Sequence, residues 1–412
     1  MPRNKSAISS VHPAKGRPVW AEISLSALAH NLHAIRDFVN PKSEKRAKPR
    51  KILSIVKGNA YGHGGPQAAR ALEKAGSDWF GVTSAAEGEA VRKAGVRKPI
   101  LALTSFWPGE EDQLLKNKIT PAVIRCEQLG LLETAAARRK LRKRSVGIHL
   151  KIDSGMNRLG IAPSDIDCFA RQYEKCQRLK LEGVFTHLAS SEVFAGPVAS
   201  QTCEQEESFH RAVKRLWSLG IDPGLIHLAN SAAIASRPET WADMVRPGVI
   251  LYGYHPGYDP IERRAEAEKQ LPLRPVMSLR TRIISIRNVP AGQGVGYNAK
   301  FVSERPTKVA VLAAGYGDGI HRSLGNKGNV LVKGVLAPIV GIISMDVTMA
   351  DVTDVPNVAV GDIATVYGPD GNGSLLAANL VARSIGTVTS DLLCAISARV
   401  PRLYPPDFSS SY

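Results

Sequence analysis

The sequence predicts an α/β protein: a (β/α)8 TIM-type barrel followed by an antiparallel β-rich C-terminal domain. Short apolar runs alternate with longer amphipathic runs from about residue 20 to residue 255, as expected of parallel strands joined by crossover helices. Eight such apolar runs match the strand number of the barrel, with a doubly wound sheet as the alternative. After residue 275 the runs become strand-like and are separated by Gly and Pro turns.

Changes in composition set the predicted domain boundaries. Residues 1–17 form an N-terminal extension, 18–255 the barrel, 256–275 a linker and 276–412 the C-terminal β domain. The linker contains four prolines and the charged stretch Glu262–Lys269, a composition typical of a connecting segment.

The elements follow from the periodicity of apolar residues. Barrel strands are predicted at Ile52–Val56, Trp79–Thr83, Ile100–Thr104, Ala122–Ile124, Val146–Ile152, Gly183–His187, Leu225–Leu228 and Met244–Tyr252. Helices are predicted at Leu25–Phe38, Pro66–Ala75, Ala85–Ala94, Cys126–Lys143, Ser164–Cys176 and Gln201–Leu219. In the second domain, strands are predicted at Val276–Val289, Lys308–Ala314, Asn329–Val332, Ala337–Ile343 and Ile363–Tyr367, with one helix at Leu375–Ile385.

The formal charge of +17 raises the question of a nucleic-acid partner. Much of the excess lies in two runs, Lys42–Lys51 and Arg138–Arg144, and neither is interleaved with the aromatic residues that stack on bases. We therefore expect solvated surfaces and no nucleic-acid partner. Salt-sensitive binding to mixed DNA or RNA would indicate the opposite.

Cysteine usage and hydropathy indicate the compartment. The five cysteines form no Cys-x-x-Cys pair and have no metal-site spacing, so we expect free thiols, a reducing environment and no metal. Residues 1–20 lack an apolar run of signal-peptide length, and no stretch approaches the span of a bilayer. We expect a cytoplasmic protein without membrane contact.

Polar side chains recur where the predicted strands end. Lys57 ends the first strand and is followed on the same turn by Tyr61 and His63. A lysine held there can form a Schiff base with a carbonyl cofactor if its surroundings lower its pKa, although a surface lysine before an ordinary turn fits the same residues. The other strand ends carry Lys151 with Asp153 and Arg158, His187, Asn230 with Ser231, and Arg246. In a closed barrel these side chains converge on one face.

Longer motifs surround these residues. They are Val56–Gly64 (VKGNAYGHG), Lys151–Gly160 (KIDSGMNRLG), Thr186–Ala189 (THLA), His227–Ala232 (HLANSA), Val245–Gly248 (VRPG), Gly294–Asn298 (GVGYN), Ala314–Gly319 (AGYGDG) and Ser344–Asp346 (SMD). In this order they resemble the alanine racemase family, pyridoxal-phosphate enzymes of fold type III, from about residue 17 to residue 402. The resemblance implies a pyridoxal 5′-phosphate (PLP) barrel and a β domain, assembled as a homodimer with shared active sites.

The resemblance also implies roles in cofactor binding. Lys57 would hold the cofactor as a Schiff base, with Tyr61, Ser231 and backbone N–H groups around Gly248 on its phosphate. His187 would lie against the pyridine ring and support Arg246, the partner of the ring nitrogen. A guanidinium cannot give up its proton near neutral pH, which keeps that nitrogen unprotonated and makes the ring a weaker electron sink.

Racemisation of alanine needs an acid/base group on each face of the substrate. The resemblance implies Lys57 for the D isomer and Tyr297 for the L isomer. Arg158 would bind the substrate carboxylate, helped by the backbone N–H of Met345 from the partner chain. Lys151 matches a lysine that the family often carbamylates, with a salt bridge to Asp153 as the alternative. The implied role is supplying D-alanine for peptidoglycan in the cell wall.

Two positions depart from the family pattern. Ser390 replaces a tyrosine beside the phosphate and substrate, and Ser344 stands where cysteine is frequent. The smaller Ser390 leaves open a broader racemase that also acts on serine. A fold type III amino-acid decarboxylase is a further alternative, but it needs an acidic partner for the pyridine nitrogen, and Arg246 argues against it. A non-catalytic, single-barrel PLP carrier would leave residues 276–412 without a purpose.

Overall fold

The computed structural model describes residues 16–406 and divides into two compact units. One unit is Ala27–Arg274, and the other comprises the residues up to Ser26 together with those from Pro275 onwards. Most of the predicted extension, residues 1–15, lies outside the described residues, as do residues 407–412 of the predicted C-terminal domain.

Strand β1 (Val19–Ile23) belongs to the C-terminal unit, although the predicted barrel domain begins at residue 18. It pairs antiparallel with Met277–Val289 and parallel with Arg402–Leu403. Its two neighbours therefore lie more than 250 residues away in sequence, which local periodicity cannot show.

Eight parallel strands form the sheet of the barrel unit, confirming the predicted fold class. They are β2 (Lys51–Ile55), β3 (Trp79–Val82), β4 (Ile100–Ala102), β5 (Ile119–Val123), β6 (Val146–Lys151), β7 (Leu179–Phe185), β8 (Leu225–His227) and β9 (Met244–Val245). Their order is β8-β7-β6-β5-β4-β3-β2-β9. The sheet closes where Asp243 N–H donates to Ile226 O at 2.9 Å and Arg246 N–H donates to Ala229 O at 3.0 Å.

The last barrel strand is much shorter than predicted. The apolar run Met244–Tyr252 was expected to be one strand, but only Met244 and Val245 pair with β2. Pro247 has no N–H to continue the ladder, and residues Val249–Tyr252 turn into a 3-10 helix.

Helices on the barrel unit follow the predicted amphipathic runs to within a few residues. The longer ones are Leu25–Val39, Gly65–Lys74, Ala85–Lys93, Glu127–Arg138, Ile166–Glu174 and Gln201–Ser218, with shorter ones at Glu111–Lys116 and Ser231–Ser236. The predicted linker contains a helix, Glu262–Gln270. Its nine residues include one buried side chain, Ala267, so no apolar stripe marks it in the sequence.

Large side chains from different strands fill the barrel interior. Leu53, Ile55, Trp79, Leu101, Ala122, Phe185 and Met244 form one buried cluster. Gly81 makes room for it, because a Cβ there would lie 2.7 Å from side-chain atoms of Leu53 and Ile55.

The C-terminal unit is built on the 13-residue strand β10 (Met277–Val289), which pairs antiparallel with β1, with β13 (Thr307–Leu312) and with β17 (Ile363–Pro369). Its other strands are β11 (Gly294–Val295), β12 (Phe301–Val302), β13 (Thr307–Leu312), β14 (Asn329–Val332), β15 (Val335–Pro338), β16 (Thr348–Asp351), β17 (Ile363–Pro369), β18 (Leu375–Leu376) and β19 (Arg402–Leu403). Two helices, Ala378–Ser384 and Thr389–Cys394, complete it. The predicted antiparallel β domain is confirmed; the second helix was not expected.

Candidate functional site

Lys57 lies at the carboxyl end of β2 and opens a left-handed turn. Residues 58–62 all have positive φ, between 52° and 81°. Gly58 and Gly62 tolerate this conformation, but Asn59, Ala60 and Tyr61 each adopt it at a cost of roughly 1–2 kcal/mol. Hydrogen bonds hold the turn closed, from Ala60 N–H to Val56 O (2.8 Å) and from Gly62 N–H to Gly58 O (2.9 Å).

His63 and Tyr252 support the turn from inside the barrel unit. The Nδ1 atom of His63 is 2.9 Å from Ala60 O and 2.8 Å from Tyr61 O; both are acceptors, so Nδ1 carries the proton. The Tyr252 ring stacks on His63 and lies 4.8 Å from the Tyr61 ring, and its hydroxyl donates to Ile55 O at 2.8 Å. His63 is thus a structural part of the lysine-bearing turn.

The carboxyl end of the barrel sheet brings together Tyr61, Ser231 and Gly248, which follow β2, β8 and β9. Gly248 N–H donates to Ser231 Oγ at 2.8 Å. A Cβ at Gly248 would lie 2.6 Å from Tyr61 Oη and 3.4 Å from Ser231 Oγ. Two hydroxyls and glycine backbone therefore form a small polar corner that any larger residue at position 248 would fill.

Arg246 lies fully inside the barrel unit, and its guanidinium is tied to backbone carbonyls. One terminal nitrogen donates to His227 O at 2.8 Å; the other donates to Thr186 O at 2.6 Å and to Leu228 O at 2.8 Å. Burial lowers the pKa of Arg246 to about 9, so it remains a cation at neutral pH. Among the described residues, Nε–H makes no hydrogen bond, which leaves one donor for a ligand.

This guanidinium has two imidazoles beside it, and a third imidazole contacts one of them. The guanidinium lies 3.2 Å from Nδ1 of His227 and 3.5 Å from Nδ1 of His187. His227 Nε2 lies 2.9 Å from Nδ1 of His149. Burial, then the charge of Arg246, lowers the pKa of His149 to about 3 and holds the pKa values of His187 and His227 well below their usual range.

His149 and His227 have no role predicted from the sequence. Because an arginine only donates, His227 Nδ1 accepts and its Nε2–H donates to His149. The signal was present at position 149: residues two apart share a strand face, and His149 precedes Lys151 by two. Gly183 makes this arrangement fit, since a Cβ there would lie 2.5 Å from the His149 ring.

Lys151, the last residue of β6, is only 5% exposed. Its ammonium lies 3.5 Å from Leu103 O and 5.5 Å from the Phe185 ring centre. Its pKa is lowered to about 8; burial is the main cause, and the charges of Arg246, Arg158 and Lys57 act in the same direction. The expected alternative, an ion pair with Asp153, is not formed within residues 16–406.

Asp153 instead organises the loop that carries Arg158. Its carboxylate accepts backbone N–H groups of Gly155 (3.2 Å), Asn157 (2.9 Å) and Arg158 (2.8 Å). Bonds from Ile161 N–H to Lys151 O (2.8 Å) and from Asp153 N–H to Ile161 O (3.0 Å) close the loop. Arg158 is exposed at its tip.

The remaining predicted site residues belong to the C-terminal unit. Tyr297 follows a glycine with φ of 71° and is 66% exposed; Met345 is 52% exposed. Ser390 is half-buried in the helix Thr389–Cys394. Ser344 makes a tight turn with Val347, through which Met345 projects from the surface.

A buried carboxylate anchors the loop that contains Met345. Asp318 is fully buried and accepts hydrogen bonds from Arg17 (3.2 Å), Arg399 (2.8 Å) and Gly315 N–H (2.9 Å). The same two arginines also bond to Asp346, and Arg399 donates to Met345 O at 3.2 Å. The loop position therefore depends on both ends of the described chain.

Within the described part of the chain, no helix combines the length and apolar character needed to cross a bilayer. No group of three or more His, Cys, Asp or Glu side chains in residues 16–406 is placed to hold a metal ion.

Comparisons with known proteins cover almost the whole chain. The family model "Alanine racemase, N-terminal domain" matches residues 23–256, and "Alanine racemase, C-terminal domain" matches residues 276–404. An alanine racemase of Geobacter sp. (strain M21) is 37% identical over 389 residues, 94% of this chain and 99% of that protein. One from Methanococcus maripaludis is 36% identical, over 94% and 98%.

Solved structures give the same result. An alanine racemase of Clostridium difficile 630 superposes with a TM-score of 0.83 at 32% identity, covering 95% of this chain and 96% of that one. The alanine racemase of Bacillus anthracis with bound L-Ala-P has a TM-score of 0.83 at 30% identity, with the same coverage.

Proposed function

The chain belongs to the alanine racemase family, whose members interconvert L- and D-alanine with pyridoxal 5′-phosphate, and we propose that its two proton-transferring groups are Lys57 and Tyr297. The observation that carries this proposal is the placement of Lys57 at a barrel strand end, in one turn with Tyr61. Tyr61 in turn reaches the polar corner at Gly248. The decarboxylase and serine-racemase alternatives are not favoured.

The barrel unit has the features that the cofactor requires. We expect Tyr61 Oη, Ser231 Oγ and the backbone of Gly248 to bind the phosphate because these groups lie close together: a Cβ at Gly248 would lie 2.6 Å from Tyr61 Oη and 3.4 Å from Ser231 Oγ. The Nε–H of Arg246 supplies a donor for a ring nitrogen that must stay unprotonated. Lys57, Lys151, Arg158 and Arg246 together favour a ligand rich in negative charge.

When bound, the cofactor draws electrons from Cα of the amino acid and so makes its α-proton acidic. Arg246 limits this withdrawal because it donates a hydrogen bond without transferring a proton. His187, held neutral beside it, supports the guanidinium without adding charge. A moderate electron sink suits a reaction that only removes and returns one proton.

Proton transfer is divided between two side chains. Nζ of Lys57 takes the α-proton of the D isomer, and the phenol of Tyr297 takes that of the L isomer. When one group removes the α-proton, the other donates a proton to the opposite face of Cα, which inverts the configuration. Arg158 and the N–H of Met345 bind the substrate carboxylate. They thereby hold Cα between Lys57 and Tyr297.

Lys151 is proposed to carry a carbamate. Its lowered pKa leaves about a tenth of the amine neutral at pH 7, and only the neutral amine attacks carbon dioxide. The product is an anion among Arg158, Arg246 and Lys57, where a negative charge is stabilised. It would orient Arg158 toward the substrate.

We assign the shared sites to a homodimer in the cytoplasm that supplies D-alanine for peptidoglycan. Tyr297 and Met345 lie on the surface of the C-terminal unit. Large exposed side chains of this kind are typical of protein interfaces. Each site would then take Lys57 from one protomer and Tyr297 from its partner.

Borohydride reduction of the purified protein with cofactor tests the role of Lys57. We expect peptide mass spectrometry to find the reduced cofactor on Lys57, and Lys57→Ala to lose the label and racemase activity together. Lys51→Ala is the matched control, because Lys51 begins the same strand and is exposed. Label on another lysine with activity intact in Lys57→Ala would refute the assignment.

A further inference from the structure

We propose that Glu87 is a positioning residue for Lys57. Glu87 lies in the first turn of helix Ala85–Lys93, which follows strand β3. Its carboxylate oxygen Oε1 accepts the backbone N–H of Gly58 at 2.8 Å. This bond reaches the residue immediately after Lys57, across 29 positions of sequence. The inference rests on the role of Lys57 proposed above.

The carboxylate is itself fixed, so it can hold the turn in place. The second oxygen, Oε2, accepts both the backbone N–H and the hydroxyl of Thr83, each at 2.8 Å. Thr83 O accepts the Thr104 hydroxyl at 2.6 Å, which ties this point to the segment after the next strand. A negative side chain in the first turn of a helix is also favoured by the helix dipole.

Lys57 is therefore held on both sides by the same β3–helix segment. One residue before it, Val56 N–H donates to Gly81 O of β3 at 2.9 Å. One residue after it, Gly58 N–H donates to Glu87. Two fixed points around one residue restrict where its Cα and side chain can lie.

The turn needs such a restraint because its backbone is strained. Asn59, Ala60 and Tyr61 have φ of 52–54°, a conformation that costs each of them roughly 1–2 kcal/mol. Without Glu87, the Gly58 N–H loses its acceptor, and the start of the turn can shift because glycine adopts many backbone conformations. Lys57 and Tyr61 would then move together, and with them one base and one phosphate ligand.

Rates alone cannot identify this role. The two alanine enantiomers have equal free energy, so kcat/KM must fall by the same factor in both directions. A primary deuterium isotope effect, in contrast, distinguishes the proton transfer to Lys57 from the proton transfer to Tyr297. Loose positioning of Lys57 slows the transfer from α-deuterated D-alanine, whereas the transfer from α-deuterated L-alanine to Tyr297 becomes less rate-limiting.

The test compares Glu87→Gln with two controls in the holoenzyme. Gln keeps the size of the side chain but replaces one acceptor oxygen by an NH2 donor. This donor then faces another donor, either Gly58 N–H or Thr83 N–H, so one of the two hydrogen bonds is lost. Ser84→Ala removes the helix N-cap, since Ser84 Oγ accepts Glu87 N–H at 3.2 Å, without touching Gly58. Glu89→Gln changes the same charge on the same helix, where Glu89 pairs with Lys93.

We expect kcat of Glu87→Gln to fall by about 10- to 100-fold, with a larger isotope effect for D-alanine and a smaller one for L-alanine. The controls should keep both isotope effects of the wild type. Amide hydrogen exchange gives a readout without cofactor: peptides covering residues 56–64 of the apoprotein should exchange faster only in Glu87→Gln. If that variant does not fold, Glu87→Asp provides the same test. Aspartate keeps the charge, but its side chain is one methylene shorter and moves the carboxylate away from Gly58 N–H.

Unchanged isotope effects, or unchanged exchange around Gly58, would overturn the inference, as would the same changes in Ser84→Ala. These outcomes differ from failure of the proposed function. In that case Lys57→Ala would retain the reducible cofactor link, whatever Glu87 does.

Discussion

The cationic side chains of the barrel unit lower the pKa of buried titrating groups near them. The cations are Lys57, Lys151, Arg158 and Arg246, and burial affects two of them, Arg246 and Lys151, differently. Arg246 stays charged because three carbonyls accept its hydrogen bonds. Among residues 16–406, Lys151 has one long contact with a carbonyl, so burial and its charged neighbours lower its pKa to about 8. The same environment therefore keeps the guanidinium ionised while it makes the lysine reactive.

Carbamate formation at Lys151 should increase as the pH rises through about 8, at a constant concentration of dissolved carbon dioxide, because the neutral fraction of the amine grows. Carbon-13 NMR with labelled carbon dioxide measures the adduct. Lys151→Ala should remove the signal, and Lys51→Ala should keep it. A signal that is absent, or that persists in Lys151→Ala, would contradict the assignment.

Among the elements, strands β6 and β7 decide how the imidazoles are arranged. The register of the two strands shifts between Ile148 and His149, and the ring of His149 then lies over Gly183. Glycine weakens an ordinary strand, but here its missing Cβ gives space to a buried ring that contacts His227 at 2.9 Å.

Gly183→Ala should lower the free energy of unfolding by about 1–3 kcal/mol, because the new methyl overlaps the His149 ring at 2.5 Å. Urea unfolding of the apoprotein measures the change. Gly130→Ala is the matched control: it lies inside helix Glu127–Arg138 with no atom within 4 Å of the added Cβ. It should raise the stability by about 0.5–1 kcal/mol. Equal effects of the two changes would contradict the packing account.

At the scale of the whole molecule, periodicity predicted the order of strands and helices because each apolar run is local. It could not predict that residues 19–23 pair with β10 and β19, nor that Pro247 ends the last barrel strand after two residues. Lys57, Lys151 and Arg246 could be predicted as site residues because they lie at the ends of predicted strands. Glu87 could not be predicted, because its bond to a backbone N–H 29 positions away leaves no pattern in sequence. His149 shares a strand face with Lys151, but its contact with His227 depends on a different strand.

In the proposed homodimer, two chains build each active site together. Lys57 and Tyr297 lie in different units of the chain, and in the proposed homodimer each site takes one of them from each protomer. Homodimers of Lys57→Ala and of Tyr297→Phe should both be nearly inactive. A mixed dimer would have one site that lacks both groups and one site that lacks neither.

Mixing the two inactive variants and assaying alanine racemisation after subunit exchange tests this claim most directly. Full exchange makes about half of the dimers mixed, each with one intact site, so activity should recover to about a quarter of the wild-type value. Mass tags on the two variants confirm that exchange has occurred. If exchange is complete and no activity returns, every site contains a defect, and the shared-site account is wrong.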